Sequence, residues 1–448
     1  MTIYQIPHEL KKIDSKNWDL DDETLKGFKK IENYEDIITD IKLKSKYLKD
    51  LRIEHILDFF DSLSNEWLNN PKNNFLKNFS SKGASFLINF IKRSNLEPLL
   101  SESLNNNISY IDNFIFVNNL KKKVMAHPKG LITHWLAGNV PILGMISLIQ
   151  GIITKNTNVV KLPREGGLTL PFMASQIADH VYEKDKLKIE GLKIMESCQF
   201  VYCNKQDISS QKILSINSDI RVAWGGREAV ESVMSLPRKY GTEDVIFGPK
   251  YSFAIIGKNS FKNDDLKEIS YKLAIDISVF EQQGCNSPHT VFYESGGKFS
   301  ALEFAKSLAD AMDKVLKRIP KNLVSANEAF KIENIRAEYS FTGKVFSSSG
   351  TEWTVIYSEE KGLAEACFSR TIFVRPVDSI NEILKYIEHK KHQTIGICLD
   401  KKNKEFFAKE ATSRGIERIT EVGKMSVYDY PWDSMYPMNR FIRWVSLN

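Results

Sequence analysis

The sequence predicts an α/β protein in which a helical N-terminal region precedes two units built from parallel strands and helices. From about residue 111, segments rich in Val and Ile alternate with helical segments, an order typical of a doubly wound parallel sheet covered on both faces. A second run of the same kind follows Cys285. Residues 1–110 have helical character, because apolar residues between 53 and 67 recur at spacings of three and four.

The first α/β run contains several predicted strands separated by helices. The strands are the apolar segments at residues 158–163, 198–203, 220–226 and 251–256. A helix is expected after the first of them as far as about Lys184, and further helices are expected at residues 227–236 and 264–280.

The longest apolar stretch, residues 131–153, precedes these strands. It contains His134, Asn139 and Pro141, and the Asn-Val-Pro sequence is a helix start signal halfway through. A membrane-spanning helix needs about 20 uninterrupted apolar residues. The stretch therefore predicts two short buried elements joined at Asn139, and no membrane span.

The second α/β run extends from Cys285 toward the C-terminus. Strands are predicted at residues 289–294, 371–377, 394–400 and 417–422, and helices at residues 299–319 and 379–390. Cys285 thus lies near the junction of two α/β units, where small-molecule sites tend to form.

Composition and charge exclude several classes of function. The net charge is only +6 and the lysines are scattered, without the basic stripe and interleaved aromatics of a nucleic-acid interface. Five cysteines, an odd number without metal-type pairing, and an N-terminus without an apolar core favour free thiols in a cytoplasmic protein with no metal site. P-loop, HExxH, GxSxG and GxGxxG motifs are absent from the sequence.

Two residues are candidates for acyl chemistry. Cys285 follows a glycine in EQQGCNSPH, and a thiolate is a strong nucleophile whose acyl product is a thioester. The alternative is a structural thiol at a bend. Asn139, in HWLAGNVP, either caps the following helix or donates its amide to an acyl oxyanion.

Three further residues are candidates for contact with a nucleotide. Lys161 ends a predicted strand in NTNVVKLPRE, where a doubly wound sheet would meet a nucleotide, although a solvated strand end explains a lone lysine as well. Gly225 and Gly226 lie between a strand and a helix in VAWGGREAV. That turn either approaches a phosphate or is an ordinary tight turn.

Taken in order, these segments resemble the aldehyde dehydrogenase superfamily, and most closely its LuxC family of fatty acyl-CoA reductases, a component of the aldehyde-recycling system in bacterial luminescence. The similarity covers roughly residues 110–445 and rests on five ordered blocks. The blocks read HPKGLITHWLAGNVP, VAWGGREAV, VIFGPKYSFAIIG, DISVFEQQGC and GIERITEVG.

The resemblance implies a role for each candidate residue. Cys285 falls on the nucleophile, Asn139 on the oxyanion-binding asparagine, and Lys161 on the lysine that contacts the adenosine ribose. Gly225 and Gly226 fall on the turn beside the cofactor phosphates. The implied domains are a helical region packing on the cofactor domain, a dinucleotide-binding domain, a catalytic domain and a C-terminal segment, at residues 1–110, 111–282, 283–425 and 426–448.

Two departures from the superfamily pattern narrow the expected reaction. Ile246 stands where hydrolytic aldehyde dehydrogenases carry the glutamate that activates water, so transfer of the acyl group to or from a thiol is expected instead. Arg164 stands three residues after Lys161, where many NAD-dependent members have a glutamate. A guanidinium attracts a 2′-phosphate, which favours NADPH, whereas a shift of register by one residue would place Glu165 there.

The resulting hypothesis is NADPH-dependent reduction of a long-chain fatty acyl thioester to an aldehyde through a Cys285 acyl-enzyme. The donor is acyl-CoA or an acyl-protein, and the resemblance suggests an acyl-protein synthetase and an acyltransferase as partners, with a homo-oligomeric state. Two alternatives stay open: a hydrolytic NAD(P)-dependent aldehyde dehydrogenase, and a non-catalytic scaffold in an acyl-transfer complex. His134 and His289 are expected to be satisfied structural histidines, and Glu281 is expected to be a surface carboxylate.

Overall fold

The structure is a computed structural model that describes residues 2–8, 18–70, 75–79, 83–138, 140–261, 265–321 and 324–448. The chain divides into two compact units. Unit 1 comprises residues 1–248 and 435–448, and unit 2 comprises residues 249–434. This division differs from the predicted domain boundary after residue 282, and the functional domains inferred from the sequence stay a prediction.

Within its described residues, unit 1 is built on a seven-stranded sheet. Five strands are parallel, and two N-terminal strands extend the sheet in antiparallel orientation. In spatial order the strands are Glu243–Phe247, Ile220–Trp224, Leu131–Trp135, Thr157–Lys161, Cys198–Tyr202, Ile3–Ile6 and Lys29–Ile31. A separate antiparallel sheet contains Ile442–Leu447, Lys122–Pro128 and Ile115–Val117, and a hairpin joins Val181–Lys184 to Leu187–Glu190.

The helices of unit 1 precede and cover this sheet. One sheet face packs on the apolar sides of its neighbouring helices around Tyr34, Ile38, Leu214 and Val233. The helices in chain order are Asp22–Leu25, Tyr34–Lys44, Lys46–Asp50, Ile53–Asn69, Phe75–Phe79, Ala84–Phe90, Arg93–Ser103, Pro141–Ile153, Thr169–Ala178, Gly191–Met195, Ile208–Asn217, Arg227–Ser235 and Pro437–Arg440, with 3₁₀ turns at Ile108–Ile111 and Asn118–Leu120.

Unit 2 contains a second seven-stranded sheet among its described residues. Its strands are parallel except at one edge, where the first two pair in antiparallel orientation. In spatial order they are Lys344–Ser347, Thr354–Tyr357, Thr371–Val377, Pro288–Glu294, Tyr251–Ile256, His392–Cys398 and Arg418–Glu421. The helices are Leu266–Ser278, Ala301–Arg318, Ala326–Thr342 and Lys401–Ser413, with 3₁₀ turns at Val279–Gln282 and Ile380–Tyr386.

Alternating side chains of the unit 2 strands build two cores. Ala254 and Ile256 face a cluster that includes Leu273 and Leu308 from two long helices. Phe253 and Ile255 point to the other face, toward a cluster that includes Phe407. Strand side chains alternate between faces, so these strands are buried on both sides, as the near-continuous apolar sequence of a parallel sheet requires.

Most predicted elements are confirmed, including the strand and helix in residues 131–153, where the strand ends at Trp135 and the helix begins at Pro141. In the described part of the chain, no helix combines the length and apolar character needed to cross a membrane. The predicted helix at residues 264–280 is observed as Leu266–Ser278, and its position 264 lies outside the described residues.

Three predictions about elements are wrong, and one helix was not predicted. The helix expected to reach Lys184 ends at Ala178, and a hairpin follows because Asp185 adopts a left-handed turn conformation. The helix expected at residues 379–390 is a 3₁₀ segment, Ile380–Tyr386. The N-terminal region is not purely helical, since Ile3–Ile6 and Lys29–Ile31 join the sheet. The helix Ala326–Thr342 was not predicted, because Ile332 is its single buried residue and no apolar stripe marks it.

Candidate functional site

Three adjacent strands of unit 1 bring the predicted cofactor residues to one edge of the sheet. Trp135 lies beside Ala223 on one side and Lys161 on the other, so the strands end together. The chain order reverses between Leu131–Trp135 and Ile220–Trp224, which makes this a topological switch point. Ligands of doubly wound sheets bind in the crevice outside such a point, beyond the carboxyl ends of the strands.

Lys161 places an ammonium group at this edge of the sheet. Burial lowers the pKa of its ammonium group, an effect that the Cys203 thiol opposes and the nearby Lys205 reinforces. Within the described residues no hydrogen bond or ion pair to the Lys161 side chain is found. A partly buried cation without a partner suits an anionic or hydroxyl-bearing ligand, because such a ligand would satisfy its donors.

Arg164 lies on the segment that follows Lys161. Its side chain is 56% exposed, and its contact is a 3.7 Å approach of Nη2 to Oδ1 of Asp22, which is itself 92% exposed. Such an exposed ion pair contributes little to stability, so the Arg164 guanidinium can release Asp22 and bind a more highly charged anion. The backbone here is closely packed, since a Cβ on Gly138 would lie 2.5 Å from the carbonyl oxygen of Glu165.

Gly225 and Gly226 form the turn from the strand into the helix Arg227–Ser235. Gly226 occupies the N-cap position without a side-chain cap, and no atom lies within 4 Å of the position its Cβ would take. The first intrahelical hydrogen bond runs from the Val230 N–H to the Gly226 carbonyl, so the N–H groups of the residues before Val230 have no partner within the helix. A helix N-terminus of this kind favours a phosphate, because the N–H groups and the helix dipole both attract an anion.

Asn139 lies outside the residues that the structure describes. The helix Pro141–Ile153 has Val140 at its N-cap position, with Pro141 in the first turn. The oxyanion-binding role of Asn139 therefore stays a prediction. Ile246 lies in the strand Glu243–Phe247, partly buried against the apolar cluster on the covered face of the sheet.

Cys285 belongs to unit 2 and lies before the amino end of the strand Pro288–Glu294. Its carbonyl oxygen accepts a hydrogen bond from Ser252 Oγ at 2.6 Å, and the same hydroxyl accepts from the Thr394 N–H at 3.0 Å. The Asn286 side-chain amide donates to the carbonyl of Met425 at 2.6 Å. The cysteine backbone is thus fixed to two neighbouring strands and a C-terminal loop.

The segment before Cys285 is held in an unfavourable conformation. Phe280, Glu281 and Gln282 have φ values of 53°, 54° and 61°, in the left-handed region that side chains disfavour. Arg370 forms a bidentate ion pair with Glu281 at 2.6 and 2.8 Å, and the Gln282 amide donates to the carbonyls of Pro288 and Thr371. These contacts offset a strain of about 1–3 kcal/mol per residue, a cost that clusters at functional sites.

The thiol of Cys285 is half-buried and protonated at neutral pH. Burial raises its pKa to about 12, and the Asp433 carboxylate adds to the increase, whereas the Gln393 side chain and the Lys250 ammonium act in the opposite direction. The sequence did not suggest Gln393, Asp433 or Lys250, since they belong to three separate segments of the chain. Only the folded sheet shows that they surround one thiol.

His134, Glu281 and His289, the three residues expected to have no catalytic role, have different surroundings. His134 is buried, with Nδ1 2.9 Å from Ser147 Oγ and Nε2 3.1 Å from Asn158 Oδ1, which confirms a satisfied structural histidine. Glu281 is not the surface carboxylate expected from the sequence, since its side chain is 19% exposed and forms an ion pair with the buried Arg370. His289 packs against the rings of Tyr251 and Phe368, and its Nδ1 has no partner among the described residues.

The described residues contain no cluster of three or more His, Cys, Asp or Glu side chains arranged to hold a metal ion. Cys198 and Cys203 are buried as free thiols, and burial raises their pKa values to about 12 and 11. Protonated and enclosed, they have the character of structural cysteines.

Comparison with known proteins decides the family. A family model described as Acyl-CoA reductase (LuxC) matches residues 48–444. The chain belongs to the LuxC family. Among its LuxC-type relatives, the long-chain acyl-protein thioester reductase of Vibrio harveyi is 31% identical over 334 residues, 72% of this chain and 65% of that protein. The reductase of the same name from Aliivibrio fischeri is 28% identical over 327 residues, with coverages of 72% and 65%. The chain therefore spans 65% of the length of these two relatives, slightly less than two thirds.

Solved structures show the fold of this LuxC member. An NADP-dependent glyceraldehyde-3-phosphate dehydrogenase from Bacillus halodurans, complexed with NADP, superimposes with a TM-score of 0.64 over 92% of this chain and 90% of that one, at 14% identity. An aldehyde dehydrogenase from Brucella melitensis biovar abortus gives 0.65 over 93% and 89%, at 12% identity. The predicted α/β, aldehyde-dehydrogenase-like fold class is confirmed.

Proposed function

We propose that this protein reduces a long-chain fatty acyl thioester to the fatty aldehyde with NADPH, through an acyl-enzyme on Cys285. The observation that carries the proposal is the Cys285 thiol itself, half-buried and fixed by a strained segment in a member of the LuxC family. The relatives are named long-chain acyl-protein thioester reductases, which supports a long-chain acyl thioester as substrate and an acyl-protein as donor. The description of the family model, Acyl-CoA reductase, supports acyl-CoA as the other donor.

Acyl transfer uses groups of this chain. The Cys285 sulfur forms a bond to the thioester carbonyl carbon, the bond from that carbon to the donor sulfur breaks, and the thiol proton ends on the departing thiol. In the proposal, the Cys285 N–H and the Asn139 amide hold the oxyanion while the carbonyl carbon is tetrahedral. Ile246 offers no base to activate water, so the acyl-enzyme persists until it is reduced or returned to a thiol.

The residues of unit 1 fit a nicotinamide dinucleotide. Among the described residues the Lys161 ammonium has no partner, Gly226 has open space at a helix N-terminus, and Arg164 has a replaceable anionic contact. In the proposal, Lys161 holds the adenosine ribose, Arg164 the 2′-phosphate, and the Gly225–Gly226 turn the pyrophosphate. Bound NADPH would supply the hydride that takes the acyl group to the aldehyde level.

The test is acylation of the protein by palmitoyl-CoA in the absence of cofactor. We expect one palmitoyl adduct, located on Cys285 by peptide mass spectrometry, and its discharge as hexadecanal when NADPH is added. Cys285→Ala should show neither adduct nor turnover, because the nucleophile is gone. Cys398→Ala, which removes another half-buried thiol of unit 2, is the matched control and should acylate normally.

Turnover by Cys285→Ala would contradict the proposal. Release of palmitate from the adduct without NADPH, at a rate comparable to reduction, would favour the hydrolytic alternative. Normal alkylation of Cys285 with no acylation by any thioester donor would favour the scaffold.

A further inference from the structure

A second set of polar residues meets at the amino edge of the unit 2 sheet, beside Cys285. Lys250 directly precedes the strand Tyr251–Ile256, Gln393 lies at the start of His392–Cys398, and Glu417 directly precedes Arg418–Glu421. These three strands are adjacent and parallel. Their starts are joined by backbone hydrogen bonds, from the Tyr251 N–H to Lys391 and from the Glu417 N–H to Gln393. Sheet pairing therefore fixes the spacing of these side chains.

Asp433 contacts Gln393 and Lys250, and Lys250 contacts Glu417, so the four side chains form one connected network. Gln393 Nε2 donates a hydrogen bond to Asp433 Oδ1, and the Lys250 ammonium lies 3.6 Å from the same oxygen. Lys250 also pairs with Glu417 at 2.5 Å. Gln393 is 1% exposed and Asp433 6% exposed, so the contacts are sheltered from water.

The arrangement is poorly explained as a stabilising feature of the fold. The second carboxylate oxygen of Asp433, Oδ2, is buried and has no hydrogen-bond partner among the described residues. An unsatisfied buried oxygen of this kind costs about 1–3 kcal/mol. A group retained at such a cost, next to a nucleophile, points to a role in the chemistry of that nucleophile.

The chemistry of the amide supplies that role. The Gln393 amide nitrogen carries two hydrogens, and Asp433 accepts one of them. The Ser252 hydroxyl that donates to the Cys285 carbonyl also accepts from the N–H of Thr394, the residue after Gln393, so Gln393 lies beside the cysteine. There the Gln393 side chain lowers the pKa of the thiol. With one hydrogen bound to Asp433, the amide is anchored and its second hydrogen remains available for donation to the sulfur. Lys250 in turn holds Asp433 by its charge.

We propose that Gln393 is a positioning residue for the Cys285 nucleophile, anchored by Asp433 and Lys250, and that these two charges set how readily the sulfur becomes an anion. This inference rests on the proposed acyl transfer to Cys285. Gln393 stabilises the negative sulfur as it attacks, and Lys250 favours the same state. Asp433 anchors the amide and opposes formation of the anion.

The charged groups involved come from three elements. Asp433 and Lys250 act on the Cys285 sulfur directly, and Glu417 acts on Asp433 and pairs with Lys250. The signs of their effects differ. Removing the Asp433 charge should make the thiol easier to ionise, whereas removing Lys250 or the Gln393 amide should make it harder.

The test is the rate of Cys285 alkylation by iodoacetamide between pH 7 and 9.5, measured on the cofactor-free protein by peptide mass spectrometry. Below the pKa of the thiol, the rate follows the thiolate fraction, so variants give parallel lines displaced by the change in pKa. We expect Asp433→Asn to react roughly threefold or more faster, and Gln393→Met and Lys250→Met slower by a similar factor. The factor allows for a pKa change of about one, partly offset by altered thiolate nucleophilicity.

Two controls separate this effect from general loosening of the site. Lys250→Arg keeps the charge and should restore the original rate. Asp400→Asn removes a carboxylate at the start of the helix Lys401–Ser413, whose cap an asparagine can replace, and should leave the rate unchanged. Unfolding of a variant would accelerate alkylation of every cysteine, whereas the expected changes are confined to the Cys285 peptide and include two decreases.

Equal rates in all variants, or changes of one sign, would overturn the inference. Acylation by palmitoyl-CoA is followed in the same variants, so that failure of this inference can be distinguished from failure of the proposed function. Normal acylation together with unchanged alkylation removes the role of Gln393 and leaves the proposed function standing. The expected alkylation pattern without any acylation removes the proposed function and leaves the control of the thiol standing.

Discussion

At the scale of single residues, the unit 1 site is defined by cations whose protein partners are absent or weak. Lys161 ends its strand without a partner in the described structure, and Arg164 has one long, exposed contact to Asp22. The two differ in geometry, since an ammonium is a compact point charge and a guanidinium can bind a phosphate with two parallel hydrogen bonds. Arg164 is therefore the residue that should distinguish NADPH from NADH.

Arg164→Gln tests this distinction. A charge-assisted contact to the 2′-phosphate is worth about 1.5–3 kcal/mol, so the KM for NADPH should rise roughly tenfold or more, while the KM for NADH and kcat change little. Steady-state kinetics with both cofactors provide the measurement. Glu165→Gln is the control for the alternative register, and it should leave the NADPH preference intact. An equal loss with both cofactors would refute the assignment.

Local sequence predicts some site residues and not others. Cys285, Lys161 and the Gly225–Gly226 turn each belong to a short segment whose composition indicates its chemistry. Gln393 and Asp433 belong to segments that look ordinary in isolation. Their relation to Cys285 depends on strand order in the sheet and on a long connection, neither of which is encoded in a window of ten residues.

At the scale of elements, two glycines at helix starts serve different purposes. Gly226 opens the helix Arg227–Ser235 into empty space, with no atom within 4 Å of its absent Cβ. Gly191 opens the helix Gly191–Met195 against the preceding helix, where a Cβ would lie 1.8 Å from the carbonyl oxygen of Ile177. Close packing requires the second glycine, while the first leaves room for the proposed cofactor phosphate.

Gly226→Val and Gly191→Ala should therefore affect different properties, cofactor binding in the first case and stability in the second. Gly226→Val should weaken NADPH binding, measured by fluorescence titration, while loss of helix capping costs at most about 1 kcal/mol of stability. Gly191→Ala should lower stability by about 1–3 kcal/mol or more through overpacking, measured by denaturant unfolding, with binding by the folded fraction unchanged. A stable Gly191→Ala protein, or a Gly226→Val protein with full affinity, would contradict this account.

Strand–helix alternation was predictable because buried parallel strands leave runs of Val and Ile between polar helix starts. The helix Ala326–Thr342 was not, since Phe330 and Phe341 are exposed and Ile332 is its buried residue, so burial leaves no period in the sequence. The hairpin after Ala178 has the alternating pattern of a strand on either side of Asp185. This short pattern was missed because the strand–helix order predicts one continuous helix here.

At the scale of the whole molecule, the chain leaves unit 1 after residue 248, builds unit 2, and returns at residue 435. The returning segment is integrated into unit 1. Ile442–Leu447 pairs with Lys122–Pro128, the carbonyl of Phe441 accepts hydrogen bonds from Asn156 and Lys129, and Asn439 donates to Ser103. The segment is therefore part of the folding unit that contains the predicted cofactor site.

Ile442→Ala should destabilise unit 1 selectively. The side chain is 3% exposed, and its truncation should cost about 2–5 kcal/mol. Hydrogen exchange should accelerate at residues 122–128, with little change in the unit 2 strand Pro288–Glu294. The neighbouring exposed Arg443→Ala is the control and should have almost no effect. Equal acceleration in both units would show that they unfold together.

During synthesis on the ribosome, the three-stranded sheet of unit 1 stays incomplete until its last strand is made. The partner strand Lys122–Pro128 is made early, but Ile442–Leu447 follows only after residues 249–434 have been translated. At about 5–20 residues per second, this interval lasts roughly 10–40 s. Throughout it the nascent chain exposes one unpaired edge of Lys122–Pro128, an edge open to other chains, while unit 2 can complete its own sheet as it emerges.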